Sequence, residues 1–211
     1  MTDRMVTTYS FWRTFRDCRK AADWRYLQHL VPIEKDRNLT FGSLIHQALQ
    51  TWHGTRDLVA TLDLIDRACP NRAQDDEQRK TWHLATAMMR GYVARYPTED
   101  FEVVALEKTF EAEIRNPATG ATSRSFTIAG KVDGIVRKGA EHFLLEHKTA
   151  SILDAGYLER LWTDFQIALY SHYIEQSQGI RIAGIVYNIL VKAQLKQGAG
   201  ETESEFEVRR A

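Results

Sequence analysis

The chain has 211 residues, 44% hydrophobic and 27% charged, which is the balance of an ordinary globular domain with a real core. Lys+Arg and Asp+Glu both number 28, so the formal net charge is zero; this excludes a histone-like or polybasic mode of binding but leaves room for a local basic groove. Two cysteines, Cys18 and Cys69, stand in no spacing that suggests zinc, the N-terminus has no apolar signal-peptide core, and the longest apolar run, 182–191, is too short to span a bilayer. These features describe a soluble, intracellular (cytoplasmic) protein with no membrane segment.

In chain order, Phe11, Phe15, Cys18, Ala22 and Tyr26 recur at helical spacing, with Ser10 as the N-cap. A second helix is predicted near "LTFGSLIHQALQTWH", where Leu44, Ile45, Ala48, Leu49 and Trp52 form one apolar arc. A third, around 75–95, carries Trp82, Ala85, Met89 and Tyr92 and stops before Pro97. Beyond Pro97 the period changes to two. "FEVVALEKTFEAEI" reads as a strand, "NPATG" as a turn, and "SFTIAGKVDGIVR" and "HFLLEHK" as two further strands of a meander. Helical spacing returns with Leu158, Leu161, Trp162, Phe165, Leu169 and Tyr173, and "RIAGIVYNILVKA" is a last, well-buried strand. The result is one α/β domain over 1–211: a helical part about 8–96, a sheet core about 101–193, and a charged tail 197–211 that reads as a frayed edge or the start of another element.

The chemistry gathers at "HFLLEHK". Side chains alternate along a strand, so Glu146 and Lys148 share a face while His147 points away. The preceding strand carries Asp133, followed by Gly134, which permits close backbone approach. Two strands joined by a short turn bring Asp133 and Glu146 side by side. Two carboxylates in one pocket repel unless a cation sits between them, and oxygen ligands select a hard ion such as Mg²⁺ or Mn²⁺. Lys148 then lies beside that ion, placed to orient or deprotonate a water or to stabilise an anionic transition state. An isolated Glu-x-Lys is more often a solvated pair, so the reading depends on its company.

That company is a Gly42-to-His46 GxxxH element upstream and a Gln166-to-Tyr170 QxxxY element downstream. Together with Asp133 and Glu146-x-Lys148, they resemble the PD-(D/E)XK nuclease superfamily. Within it they resemble the RecB-like branch: recombination nucleases, CRISPR-associated RecB-like nucleases and phage-type exonucleases. The resemblance runs from about Thr8 to Val191. It implies a restriction-endonuclease-like core, a mixed β-sheet in αβββαβ order with the helical half in front. It further implies that His46, Asp133, Glu146 and the backbone carbonyl of His147 hold the catalytic metal, and that Lys148 assists the attacking water. Gln166 and Tyr170 would lie near the substrate backbone, and Glu107 matches a recurrent acidic position on the first core strand.

The implied activity is a Mg²⁺- or Mn²⁺-dependent DNA exonuclease of recombination or repair, acting on linear DNA with a free end. It would stand alone or beside a separate recombination or annealing protein. A structure- or site-specific endonuclease on the same core is the alternative, and a catalytically silent DNA-binding module a more distant one. Some RecB-like nucleases hold an iron–sulfur cluster with four cysteines. Only Cys18 stands in a matching place and no cysteine follows Cys69, so no cluster is expected and Cys18 reads as a small buried hydrophobe. His53, His83, His142 and His172 match no motif and read as structural or surface residues. Arg13, Arg16, Arg19 and Lys20 either track phosphates or form the wet side of a helix.

Overall fold

The computed structural model describes residues 4–30, 32–33, 37–192 and 195–210. The alternating segments form a five-stranded mixed sheet. Strands β2 (Glu102–Arg115), β3 (Thr122–Lys138) and β4 (Glu141–Ala150) run as the predicted antiparallel meander. Asn116 closes the β2–β3 turn by accepting the N–H groups of Ala118 and Thr119 at 2.9 and 3.3 Å. Strand β5 (Ile182–Val191) pairs with β4 in parallel. A strand too short to show a sequence period, β1 (Met5–Thr7), pairs in parallel with Phe126–Ile128 of β3. The long β3 therefore has β1 at one end and β4 at the other, with β2 along its opposite edge. This mixed αβββαβ sheet is a restriction-endonuclease-like core.

The first helix starts one step earlier than predicted. Helix α1 (Tyr9–Asp17) is capped by Thr8, whose Oγ1 accepts the Phe11 N–H at 3.2 Å; Thr8 has the extended backbone that a cap needs, and Ser10 lies inside the helix. The helical pattern then breaks at the extended Cys18 into α2 (Arg19–Ala22) and a π-helical turn, Asp23–Leu27. Cys18 is exposed at this break, against the expectation of burial, whereas Cys69 is buried. Helix α3 (Arg37–Thr55) buries the whole predicted arc against α4 (Leu58–Ala68), which the sequence did not announce, and α5 (Asp76–Arg95). Ile45, Leu49, Ile65 and Met89 are completely enclosed there, each side chain contributing about 1.5–3 kcal/mol.

The single helix expected over 158–173 is two. Helix α6 (Ala155–Trp162) ends, and Asp164 caps α7 (Phe165–Gln178) by accepting the Gln166 N–H at 3.0 Å. A side chain that captures a local N–H competes with helix continuation. The apolar face of α7 covers the sheet, with Tyr170, Tyr173 and Ile174 against Phe110, Val132 and Leu144. The charged tail forms helix α8 (Glu203–Arg210), tied to α5 by Arg79–Glu203 at 3.2 Å and to its own approach by Arg209–Glu201 at 2.7 Å. Among the described residues, no helix is long and apolar enough to cross a membrane.

The contact between α7 and the sheet is closest at Gly130, over which the Phe110 and Tyr170 rings meet edge to face, 5.4 Å between centroids. A Cβ added there would stand 2.5 Å from Phe110 Cζ and 2.8 Å from Tyr170 Cε1. Gly130→Ala should therefore destabilise the chain by about 1–3 kcal/mol through forced ring displacement. Urea denaturation reads this directly, and an unchanged midpoint would contradict the packing.

Candidate active site

The β3–β4 ladder runs from Lys138↔Glu141 to Gly134↔Leu145 and stops. At the next level stand Asp133 and Glu146, where the strands part: β4 continues along β5, and β3 along β2 and then β1. Gly134 lets the fork close tightly, since a Cβ there would come 3.2 Å from the Ala105 carbonyl. The Asp133 carboxylate takes over where the ladder ends, its Oδ2 accepting the His147 N–H at 2.8 Å. On the other side of β3, Glu107 lies level with Asp133, between the pairs Leu106↔Gly134 and Lys108↔Val132. Its φ of +50° is left-handed backbone in mid-strand, a strain of roughly 1–3 kcal/mol.

The helical half closes the fork. His46 comes down from α3, and its Nδ1 is 3.1 Å from Asp133 Oδ1. Its neighbour in the motif, Gly42, sits against Thr149 of β4, where an added Cβ would make only an ordinary 3.7 Å contact. Lys148 lies beside Glu146, Nζ to Oε1 2.7 Å, and 3.6 Å from Asp164 Oδ2, the α7 cap. Gln166 lines the same cavity of about 510 Å³. Tyr170 itself is largely in the core, so of the pair only Gln166 faces the cavity directly. The structure thus brings His46, Asp133, Glu146, Lys148, Glu107 and Gln166 to one cavity.

Charge here is finely balanced. Burial opposes ionisation of Asp133, but the hydrogen bonds from His46 and the His147 N–H outweigh it and hold its carboxyl low. Burial likewise opposes the His46 imidazolium, and Asp133 more than offsets this, raising its pKa. Burial pushes Glu146 up; Lys148 pulls it back and the Asp133 charge adds to the rise. Lys148 is raised as well, because Glu146 outweighs its own burial, so it keeps its proton. Among the described residues, no three His, Cys, Asp or Glu side chains are already gathered as a metal-holding group. The residue types nonetheless suit a hard divalent ion, because Asp133, Glu146 and His46 line one cavity and offer oxygen and nitrogen donors.

Behind the fork, His147 points away as alternation requires and is buried. Its Nδ1 is 3.0 Å from the Asn188 amide nitrogen, which makes Nδ1 the acceptor and leaves Nε2–H buried without a partner among the described residues. Its ring stacks on His53 at 5.4 Å and 10°. The Tyr92 hydroxyl donates to Glu99 at 2.8 Å, so the His53 Nε2–H donates to Tyr92 at 3.3 Å. Burial pushes His147 down to about 3 and, with Arg56, His53 down to about 4. Both rings are neutral at physiological pH.

A sequence model of the PD-(D/E)XK nuclease superfamily, which is built around such an acidic pair and lysine, matches residues 7–210. The chain belongs to that superfamily. Among curated proteins, no sequence relative matches it. Membership implies a metal-dependent nuclease whose substrate is DNA.

Around this superfamily member's cavity, the sequence left Lys131 and Asp164 without a role and gave His53 only a structural one. Lys131 forms an ion pair with Glu107; its signal was its place two residues before Asp133, on the same strand face. Asp164 was hidden inside an apparently continuous helix. His53 was read as structural, and its stacking on His147 makes it the back wall of the site. His83, by contrast, serves the tail, 3.4 Å from Glu203.

The buried imidazoles set a pH dependence. His53 stays neutral in the fold down to about 4, whereas an unfolded histidine charges near 6.5. Below pH 6.5 the unfolded chain binds the extra proton, so stability falls as pH drops from 6.5 towards 4. His53→Phe keeps the stack and removes the titration. The wild type should lose roughly 2 kcal/mol more than the variant over this window. Urea midpoints at several pH values measure it; parallel curves would refute a neutral buried His53.

Proposed function

We propose that the chain, acting as one domain over 1–211, is a RecB-like, metal-dependent exonuclease that hydrolyses phosphodiester bonds at DNA ends in recombination or repair, of the kind phages also use. The observation that carries this reading is the meeting of His46, Asp133, Glu146 and Lys148 in one cavity, from a helix and two strands far apart in sequence. In this reading His46, Asp133, Glu146 and the His147 carbonyl hold Mg²⁺ or Mn²⁺. Held there, such an ion would supply Lewis-acid polarisation of a phosphoryl oxygen and a more acidic water. His46 would offer the ion the imidazole that now contacts Asp133. Lys148, already charged, steers the water and neutralises charge growing on the phosphoryl oxygens. Asp164 fixes the direction of the Lys148 chain, and Gln166 contacts the DNA backbone from the first turn of α7.

Activity should require added Mg²⁺ or Mn²⁺ and stop with chelator; undiminished cleavage by metal-stripped protein would remove the mechanism. Linear duplex, linear single strand and covalently closed circles, labelled at either end, separate the modes. Release of end nucleotides without cutting of circles is the expected result, and cleavage of circles would assign an endonuclease instead.

Lys148→Ala should lower the single-turnover rate roughly a hundredfold or more, with metal binding retained. Asp133→Asn should weaken metal binding itself, and His46→Ala should raise the metal concentration needed for activity. Calorimetric titration distinguishes these roles; equal loss of metal in the Lys148 and Asp133 variants would refute the division.

A further inference from the structure

A groove of about 560 Å³ runs beside the catalytic cavity between α1 and the start of α7. Aromatic rings wall it: Tyr9 and Phe15 from α1, and Phe165 from α7, with Tyr9 and Phe165 centroids 6.2 Å apart. Phe15 is 38% exposed and Phe165 54%, although both carry rings that a core would ordinarily take. Guanidinium groups of Arg13, Arg16 and Arg19 line the same groove, with Arg19 5.5 Å over the Phe15 ring. Among the described residues, the carboxylate near them is Asp17, only 3.9 Å from Arg13 and 4.0 Å from Arg16. The surface is therefore net positive. An ordinary solvated helix face would carry the arginines without the open rings.

We propose that this groove binds single-stranded DNA, stacking unpaired bases on Phe15 and Phe165 and holding the phosphates with Arg13, Arg16 and Arg19. It rests on the nuclease reading and names the form of DNA that the site receives. Two observations select this occupant. Phe15 shares its ring with Arg19 and Phe11, whereas Phe165 meets Tyr9 at a tilt and keeps an open surface, which suits bases whose own faces are free; duplex bases are already stacked on one another. The groove also reaches the start of α7: Phe165, which lines it, precedes Gln166, which lines the catalytic cavity, and follows Asp164, a counter-ion of Lys148. A strand held at Phe165 is thereby bound at the N-terminal turn of α7, where Asp164 and Gln166 also stand. The backbone contacts are sequence-independent, so the groove takes any single strand.

Fluorescence anisotropy in EDTA, with a labelled oligothymidylate of about twenty nucleotides and a blunt duplex of equal length, tests this without cleavage. Phe165→Ala and the double variant with Phe15→Ala should weaken single-strand binding roughly tenfold, while duplex binding stays unchanged. Trp at both positions should restore it. Replacing Arg13, Arg16 and Arg19 by Gln should weaken both ligands and flatten the salt dependence. Circular dichroism establishes that each variant is folded. Unchanged single-strand affinity in folded Phe165→Ala, equal losses on duplex and single strand, or no recovery with Trp would each overturn the groove. Cleavage of the same DNAs in Mg²⁺ and Mn²⁺ separates the two claims. Active enzyme with unaffected aromatic variants removes the groove and leaves the nuclease. Selective loss of single-strand binding in a chain that cleaves nothing leaves the groove and removes the nuclease.

Discussion

Two carboxylates held at one level of the same cavity repel, and most of the architecture around Asp133 and Glu146 answers that repulsion. Each is given its own positive or donating neighbour. Asp133 has His46 on one oxygen and the His147 N–H on the other, and Glu146 has Lys148. The third acid at the same level, Glu107, is matched by Lys131. Such pairs cost desolvation that the attraction only partly offsets, so a fold that wanted stability alone would place apolar residues here. The mid-strand left-handed backbone of Glu107 adds a further cost at the same spot. Strain and partly buried charge are thus concentrated at one cavity.

The partners come from separate layers, which makes the site a joint of the whole molecule. Helix α3 supplies His46 from the edge of the apolar face that it buries among α4 and α5, so the imidazole is held by the helical core. Helix α7 is packed on the sheet through Tyr170 and Tyr173, and this fixes its first turn, with Asp164 and Gln166, beside Lys148. Tyr170 thus connects core and cavity: its ring is buried, one helical turn from Gln166.

The back of the site follows a different rule. A cation directly behind the fork would compete for Asp133 and Glu146, and His147 and His53 are kept neutral by burial. Their stack fills the space between α3 and β4 with rings that add shape without charge. Positive charge is instead placed outside, on α1, where it meets solvent and a polyanion can reach it.

Much of this was legible in the residues. Period-two alternation placed Glu146 and Lys148 on one face and His147 on the other, and the short turn after Lys138 put Asp133 level with Glu146. The apolar arc of α3 set His46 at its edge. These follow from rules acting within an element or between neighbours in a hairpin, and such rules are local. What only the tertiary structure decided are the pairings between distant elements: His53 against His147, Asp164 against Lys148, and Phe165 against Tyr9. The split of α6 from α7 belongs here too, because Asp164 caps α7 within an apolar spacing that by itself reads as one helix. Sequence period says which way a side chain leaves its own backbone. Which face it meets depends on how whole layers pack, and that is settled by the burial of the entire core.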